Sequence, residues 1–226
     1  MGQGRGVGRA VAGGVGAALV ITVVAVVYVL ASGVLDGDRA TLPDEVVIAL
    51  ACEGEDGGIV TPLVAVVTVA DGSVRSYDPL TEVTIPGTTY NELRDAYAFG
   101  GGPAVAAAIA RLGDGTHPAY VILDADVWAQ WVDAAGGLEF ESPRPVDVFT
   151  GERLLSFPAG RQVLEGVETC EYLKGAAYLT DSQRERVAER FTEALASAVA
   201  ELEPQTAGVT TDLSPEALES LRRILR

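Results

Sequence analysis

The chain has 226 residues, 48% hydrophobic and 21% charged, which excludes a disordered or low-complexity protein and suffices for one domain with a substantial core. All 32 acidic residues lie beyond position 35, so the segment from Asp36 onward sets 14 basic residues against 32 acidic ones, a formal charge of −18. A surface of that sign repels nucleic acid and removes it from the expected partners, although a local arginine cluster can still hold one anionic group in a cleft.

Residues 10–35, AVAGGVGAALVITVVAVVYVLASGVL, carry no charge, and 26 such residues exceed the roughly 20 that cross a hydrocarbon core as a helix. Arg5 and Arg9 precede this run and Asp36 and Asp38 follow it. The positive-inside bias then predicts a single-pass protein of the cell membrane, with residues 1–9 as a cytoplasmic stub and the C-terminal part extracellular. The alternative is a cleaved signal peptide ending at Ala31-Ser32-Gly33; the run is longer than the roughly 7 to 15 residues of a signal core, which favours the anchor. No cysteine follows the run, which excludes a lipoprotein anchor. Residues 36–43 are expected to be a tether, and 44–226 one extracytoplasmic domain.

Within that domain, apolar β-branched runs at 45–51 (EVVIALA) and 63–70 (LVAVVTVA) predict strands buried on both faces. Asp71-Gly72 is a hairpin-type turn leading to SVRSYD and then to a strand at 82–86, EVTIP. A helix is predicted over 90–99, and Pro103 opens another through AVAAAIARL. PAYVILD (118–124) is a further buried strand. DVWAQWVDAAGG then sets Val127, Trp131, Ala134 and Ala135 on one helical stripe, ended by Gly136-Gly137. LEFE is a short strand, and the scattered prolines of 142–160 predict an irregular excursion.

The clearest helix runs from about Ser182 to Leu202, with Thr180, Asp181 and Ser182 as candidate caps and SQRE matching a capping box. Its apolar stripe is Val187, Phe191, Ala194, Leu195, Ala198 and Leu202. At about 100° per residue Arg184 joins that stripe while Arg186 and Arg190 do not, so Arg184 needs an anionic partner. GVTTD is an expected edge strand and SPEALESLRRIL a capped final helix. An opening hairpin followed by alternating strands and helices predicts an α/β class, a three-layer α/β/α sandwich on a mixed central sheet.

Few residues carry obvious chemistry. Cys52 and Cys170 either pair, as an oxidising compartment permits, or stay two small buried thiols. His117, the only histidine, precedes a proline at a strand entrance, and no metal-type Cys/His spacing exists. Gly100, Gly101 and Gly102 before a helix either present N–H groups to an anion or make a tight helix-to-helix connection. The second is favoured because no phosphate-loop lysine follows. Glu53, Glu55 and Asp56 either hold a cation or form a solvated acidic loop, the latter being the simpler account. Asp124 and Asp126 flank a strand end, and Asp126 is explained as a helix cap.

The succession TIPGTTY, DAYAFGGGPAVAAAIARL, PAYVILDADVWAQWVDAAGGLEFESP, PAGRQVLEGVETCEYLKG and DSQRERVAERFTEAL resembles, in that order, the LytR-CpsA-Psr domain of Gram-positive cell envelopes, over roughly residues 45–225. The resemblance implies a hydrophobic pocket for a polyprenyl chain and transfer of a cell-wall glycopolymer from a polyprenyl-pyrophosphate carrier. It also implies arginines clamping the pyrophosphate and aspartates holding Mg²⁺. Tyr97, Phe99 and Trp128 become candidate lipid-pocket residues on that basis, with ordinary core packing as the alternative. Arg184 and Lys174 become candidate phosphate ligands, against the alternative that Arg184 pairs with Glu168 or Glu171. The abundance of Ala, Val, Gly and Arg with a single lysine suits a GC-rich, actinobacterial genome.

The chain departs from the family pattern at the charged positions. Val60 stands at the aspartate of RSDT, Gly87 and Thr88 at the arginine and aspartate of IPRDT, and Lys174 and Ala176 at two further arginines. Asp181 and Arg184 are kept, followed by Val187 and Ala188. A clamp so depleted predicts an accessory or non-catalytic member that binds a polyprenyl-phosphate lipid or an envelope partner, with no catalytic residue assigned and no cofactor. The alternatives are a working transferase with an altered site, which needs Mg²⁺, and a structural or signalling ectodomain with no ligand cavity.

Overall fold

The computed structural model describes residues 42–54, 57–203 and 206–226. The expected stub, membrane helix and most of the tether lie outside the described residues, as do Glu55 and Asp56. Among the described residues no helix is long and apolar enough to cross a membrane.

Two apolar runs make the centre of the sheet. β1 (Glu45–Glu53) pairs antiparallel with β2 (Ile59–Thr68) and parallel with β4 (Ala119–Asp124). β3 (Val74–Tyr77) and β9 (Val209–Thr211) are the edges, giving the mixed order β3-β2-β1-β4-β9. Alternate residues of β1 feed two separate cores, Val46, Ile48, Leu50 and Cys52 on one face and Val47, Ala49 and Ala51 on the other, which is why its apolar run is continuous. On the second face α1 (Ala96–Leu112) contributes Val105, Ala108 and Ile109. The first face carries α2 (Ala125–Ala134), α3 (Gly166–Ala176), α4 (Asp181–Glu201) and α5 (Pro215–Leu225), packed through Trp128, Tyr172, Phe191, Leu195 and Leu221.

Several local expectations need correction. EVTIP is not a sheet strand: Val83 and Ile85 point inward as alternation requires, but the segment makes only an isolated bridge between Glu82 and Glu92. The helix expected over 90–99 begins at Ala96 after a single 3₁₀ turn, Leu93–Asp95. Gly100 and Gly101 then break it, with Gly101 at φ +63°, so the three glycines connect two helical segments. Gly102 is required by close approach, because a Cβ there would lie 2.2 Å from the Tyr120 ring.

The cap of α2 is Asp124, whose Oδ1 accepts from Val127 N–H at 2.8 Å, rather than Asp126. Its inward stripe is Val127, Trp128 and Val132, with Ala134 and Ala135 exposed. Residues 142–160 are more regular than their prolines suggest. β6 (Val146–Phe149) and β7 (Leu154–Phe157) form a hairpin that buries Val146, Val148 and Phe157, while β5 (Leu138–Ser142) pairs with β8 (Gly160–Leu164). The cap of α4 is Thr180, whose N–H donates to Gln183 Oε1 at 3.1 Å, two residues earlier than the SQRE pattern.

Candidate functional site

Two clefts lie side by side over the region where β2 and the end of β3 meet α3 and α4, with Pro62, Pro79, Leu173 and Ala177 lining both. The first, about 520 Å³, is bounded by Val60, Tyr90, Glu92, Arg94, Asp95 and Lys174. The second, about 490 Å³, has largely apolar walls from Leu63, Leu173, Ala176, Val187 and Ala188, with Asp78, Asp181, Arg184 and Glu185 as its charged groups. Volumes of this size lie within the range of small-molecule sites.

Arg184 stands at the start of α4 with its side chain 14% exposed, facing inward as its position on the apolar stripe requires. All three guanidinium nitrogens are engaged. Nε and Nη2 donate to Asp78 Oδ2 at 3.2 and 2.8 Å, Nη2 also meets Asp181 Oδ1 at 2.8 Å, and Nη1 donates to the Leu179 carbonyl at 2.6 Å. Hydrogen bonding to Asp78 raises its pKa above the usual arginine value against the opposing effect of burial. The partners are therefore Asp78 and Asp181, not Glu168 or Glu171. Asp78 is itself held in place, its Oδ1 accepting from Leu80 N–H at 3.0 Å in the turn that follows β3.

Lys174 faces the first cleft, not the second, and its Nζ pairs with Glu171 Oε1 at 2.8 Å one helical turn away. The two expected phosphate ligands thus line different clefts, each held by carboxylates. Arg94 was not anticipated: its Nε lies 2.7 Å from Glu92 Oε2, and it shares the first cleft with Lys174. It was hidden because a helix over 90–99 makes it an ordinary surface position, whereas the 3₁₀ turn aims it at the cleft. In the first cleft two cations face two carboxylates, for no net charge; in the second one arginine faces three carboxylates, for −2.

The motif positions reach these clefts unequally. Val60, Lys174, Ala176, Asp181, Arg184, Val187 and Ala188 all line one or the other. Gly87, at φ +81°, and Thr88 sit in a surface turn and line neither. The turn that follows β3 into the clefts is Asp78-Pro79-Leu80.

None of the three aromatic lipid-pocket candidates lines either cleft. Trp128 is fully buried, and its Nε1 donates to Thr169 Oγ1 at 2.6 Å. Tyr97 packs against the core under α1, and Phe99 is exposed, 5.1 Å from Tyr90, the aromatic that does reach the first cleft. Cys52 and Cys170 are joined by a disulfide, with Cα atoms 6.0 Å apart, tying β1 to α3. Among the described residues no group of three His, Cys, Asp or Glu side chains is gathered to hold a metal ion. Asp78 and Asp181 are both bound to Arg184, so this donor set does not fit Mg²⁺.

The model of the LytR_cpsA_psr family matches residues 78–212, a match that begins at the Asp78 turn. The fold is similar to that of TagV from B. subtilis, with a TM-score of 0.55 and 17% identity over 82% of this chain and 80% of that one. It is also similar to a LytR-Csp2A-Psr enzyme from Actinomyces oris, at 0.58 and 17% over 81% and 75%. A structure of TagT bound to LI-WTA gives 0.53 and 16% over 80% and 74%. No curated protein matches the chain.

Proposed function

The chain belongs to the LytR-CpsA-Psr family, and from that premise we propose that it is an accessory, non-catalytic member in cell-envelope assembly. Anchored by residues 10–35 with its domain outside the cytoplasm, it holds the isoprenoid chain of an envelope lipid, or an envelope partner, without transferring a head group. A solved structure of similar fold, TagT, is bound to LI-WTA, which supports an envelope ligand here.

The observation that carries this reading is the state of Arg184, whose three nitrogens are committed to Asp78, Asp181 and the Leu179 carbonyl. A diphosphate needs several fixed cations aimed at its developing charge, and removing even one such donor typically costs about 10² to 10³ in rate. Val60 and Pro79 line the clefts without contributing charge, and neither cleft has a net positive lining. The apolar walls of the second cleft remain suited to a hydrocarbon chain.

A second reading rests on Arg94 and Lys174, which face one cleft. Turned from Glu92 and Glu171 onto a diphosphate, they would make an altered transferase site. One experiment separates the readings: full-length protein in detergent is given labelled farnesol, or labelled farnesyl pyrophosphate with Mg²⁺, and both retained isoprenoid and released phosphate are scored. Retention without phosphate release is expected. Phosphate release lost in Arg94→Ala or Lys174→Ala would establish the transferase, and no retention of either compound would leave a structural ectodomain.

A further inference from the structure

We infer that Asp78 sets the ligand class of the second cleft: its carboxylate occupies Arg184 as an anionic head group would, so the cleft takes an apolar chain with an uncharged head and turns away the phosphorylated form of the same chain. This rests on the lipid-binding reading above and names the head-group chemistry which that reading leaves open.

The geometry is that of a guanidinium holding an anion. Asp78 presents its carboxylate side-on, with Nη2 donating to Oδ2 at 2.8 Å and Nε to Oδ1 at 3.3 Å, the two-pronged arrangement arginine offers to a phosphate. The Leu80 N–H on Oδ1 fixes the carboxylate in that orientation before any ligand arrives. With Arg184 14% and Asp78 35% exposed, the pair is screened by solvent only in part. A phosphate reaching Arg184 has to displace Asp78, leaving that carboxylate without its cation beside Asp181, Glu185 and the incoming charge. Separating a partly buried pair this way is costly because the remaining charge stays uncompensated. A hydroxyl displaces nothing. Ser76, Ser182 and the outer carboxylate edges line the same cleft and can exchange hydrogen bonds with it, while Leu63, Leu173, Ala176 and Val187 enclose the chain.

The test uses farnesol and farnesyl monophosphate, which share a chain and differ in head group, competed against labelled farnesol on the detergent-solubilised full-length protein. The wild type is expected to bind the alcohol about tenfold or more tighter than the phosphate. Asp78→Asn removes the charge, keeps an oxygen for Leu80 N–H, and is expected to tighten the phosphate about tenfold with the alcohol within about threefold. Adding Arg184→Gln to that variant should abolish the gain. Equal or tighter phosphate binding by the wild type would overturn the inference, as would an Asp78→Asn protein with an unchanged ratio, since a merely structural ion pair predicts that result. If Asp78→Asn does not fold, Asp181→Asn, whose side chain is 95% exposed, carries the same readout with a smaller expected gain of about threefold; no gain there counts against the inference. Binding of neither compound by the wild type overturns the lipid reading along with the inference, whereas binding of both with the phosphate preferred overturns the inference alone.

Discussion

At position 172 a phenol lies wholly inside the core, edge-on to Phe140 at 4.5 Å and to Phe157 at 5.4 Å, with its hydroxyl 2.8 Å from Ser142 Oγ. Burial raises its pKa, and the hydrogen bond to Ser142 opposes that more weakly. Tyr120 shifts the same way, through burial first and then the charge of Asp212. Folded-state values above the unfolded phenol value of about 10 mean that this stability is complete below about pH 10 and is lost as the pH rises through the folded pKa. Urea titrations at a series of alkaline pH values should therefore show stability falling beyond about pH 10. Tyr172→Phe should lose about 1 kcal/mol at neutral pH through the missing hydrogen bond, and its alkaline fall should be shallower; an unchanged alkaline limb would remove Tyr172 as a source. The inward setting of Arg184 was readable in the same residue-by-residue way, from its angle on α4. Its partner was not, because Asp78 lies 106 positions away and meets it only once β3 and α4 are packed.

Among elements, the contact of α2 with α3 is the most demanding. Gly166 opens α3 directly against α2: its N–H donates to Asp133 Oδ1 at 2.7 Å, and a Cβ there would stand 2.2 Å from the Ala129 carbonyl oxygen. Backbone cannot yield as a side-chain tip can, so Gly166→Ala should force the helices apart and destabilise by about 2 kcal/mol or more. A thermal melt tests this, and an unshifted midpoint would show that the two helices re-seat freely. Sequence reading missed α3, for a specific reason. Its capping box is built by Glu165 and Glu168, with Glu165 N–H donating to Glu168 Oε2 at 3.0 Å, and glutamate is not a residue by which a helix start is recognised. EVTIP failed the other way, since alternation was present and Val83 and Ile85 are buried, but no neighbouring strand is placed to pair with it beyond the Glu82 bridge.

For the whole molecule, the Cys52–Cys170 bond closes a loop of 118 residues, which joins the central strand to α3 beside the two clefts. In the chain-entropy account a loop of that length contributes about 5 kcal/mol by restricting the unfolded chain. Replacing both cysteines by alanine, or unfolding in reductant, should lower the urea midpoint by an amount approaching that value. A midpoint insensitive to reductant would mean that the bond does not form in solution. Because the bond pins α3, and α3 supplies Leu173, Lys174, Ala176 and Ala177 to the clefts, the substituted protein should also bind isoprenoid more weakly than its loss of stability alone accounts for.

What the linear chain determined by itself was whatever depends on near neighbours. The two-sided strands, the stripe of α4, the glycine break before Pro103 and the capped final helix are written in spacings of two to four residues, the range over which backbone geometry couples side chains. The order of motifs was likewise enough to identify the family. Tertiary structure alone decided which charges meet. It put Asp78, not Gly87 or Thr88, at the mouth of the second cleft, turned Arg94 into the first, withdrew Trp128 into the core, and paired Arg184 and Lys174 with carboxylates. Coulombic attraction acts through space and takes no account of separation along the chain, so the balance of charge in a cleft exists only after folding has chosen its walls.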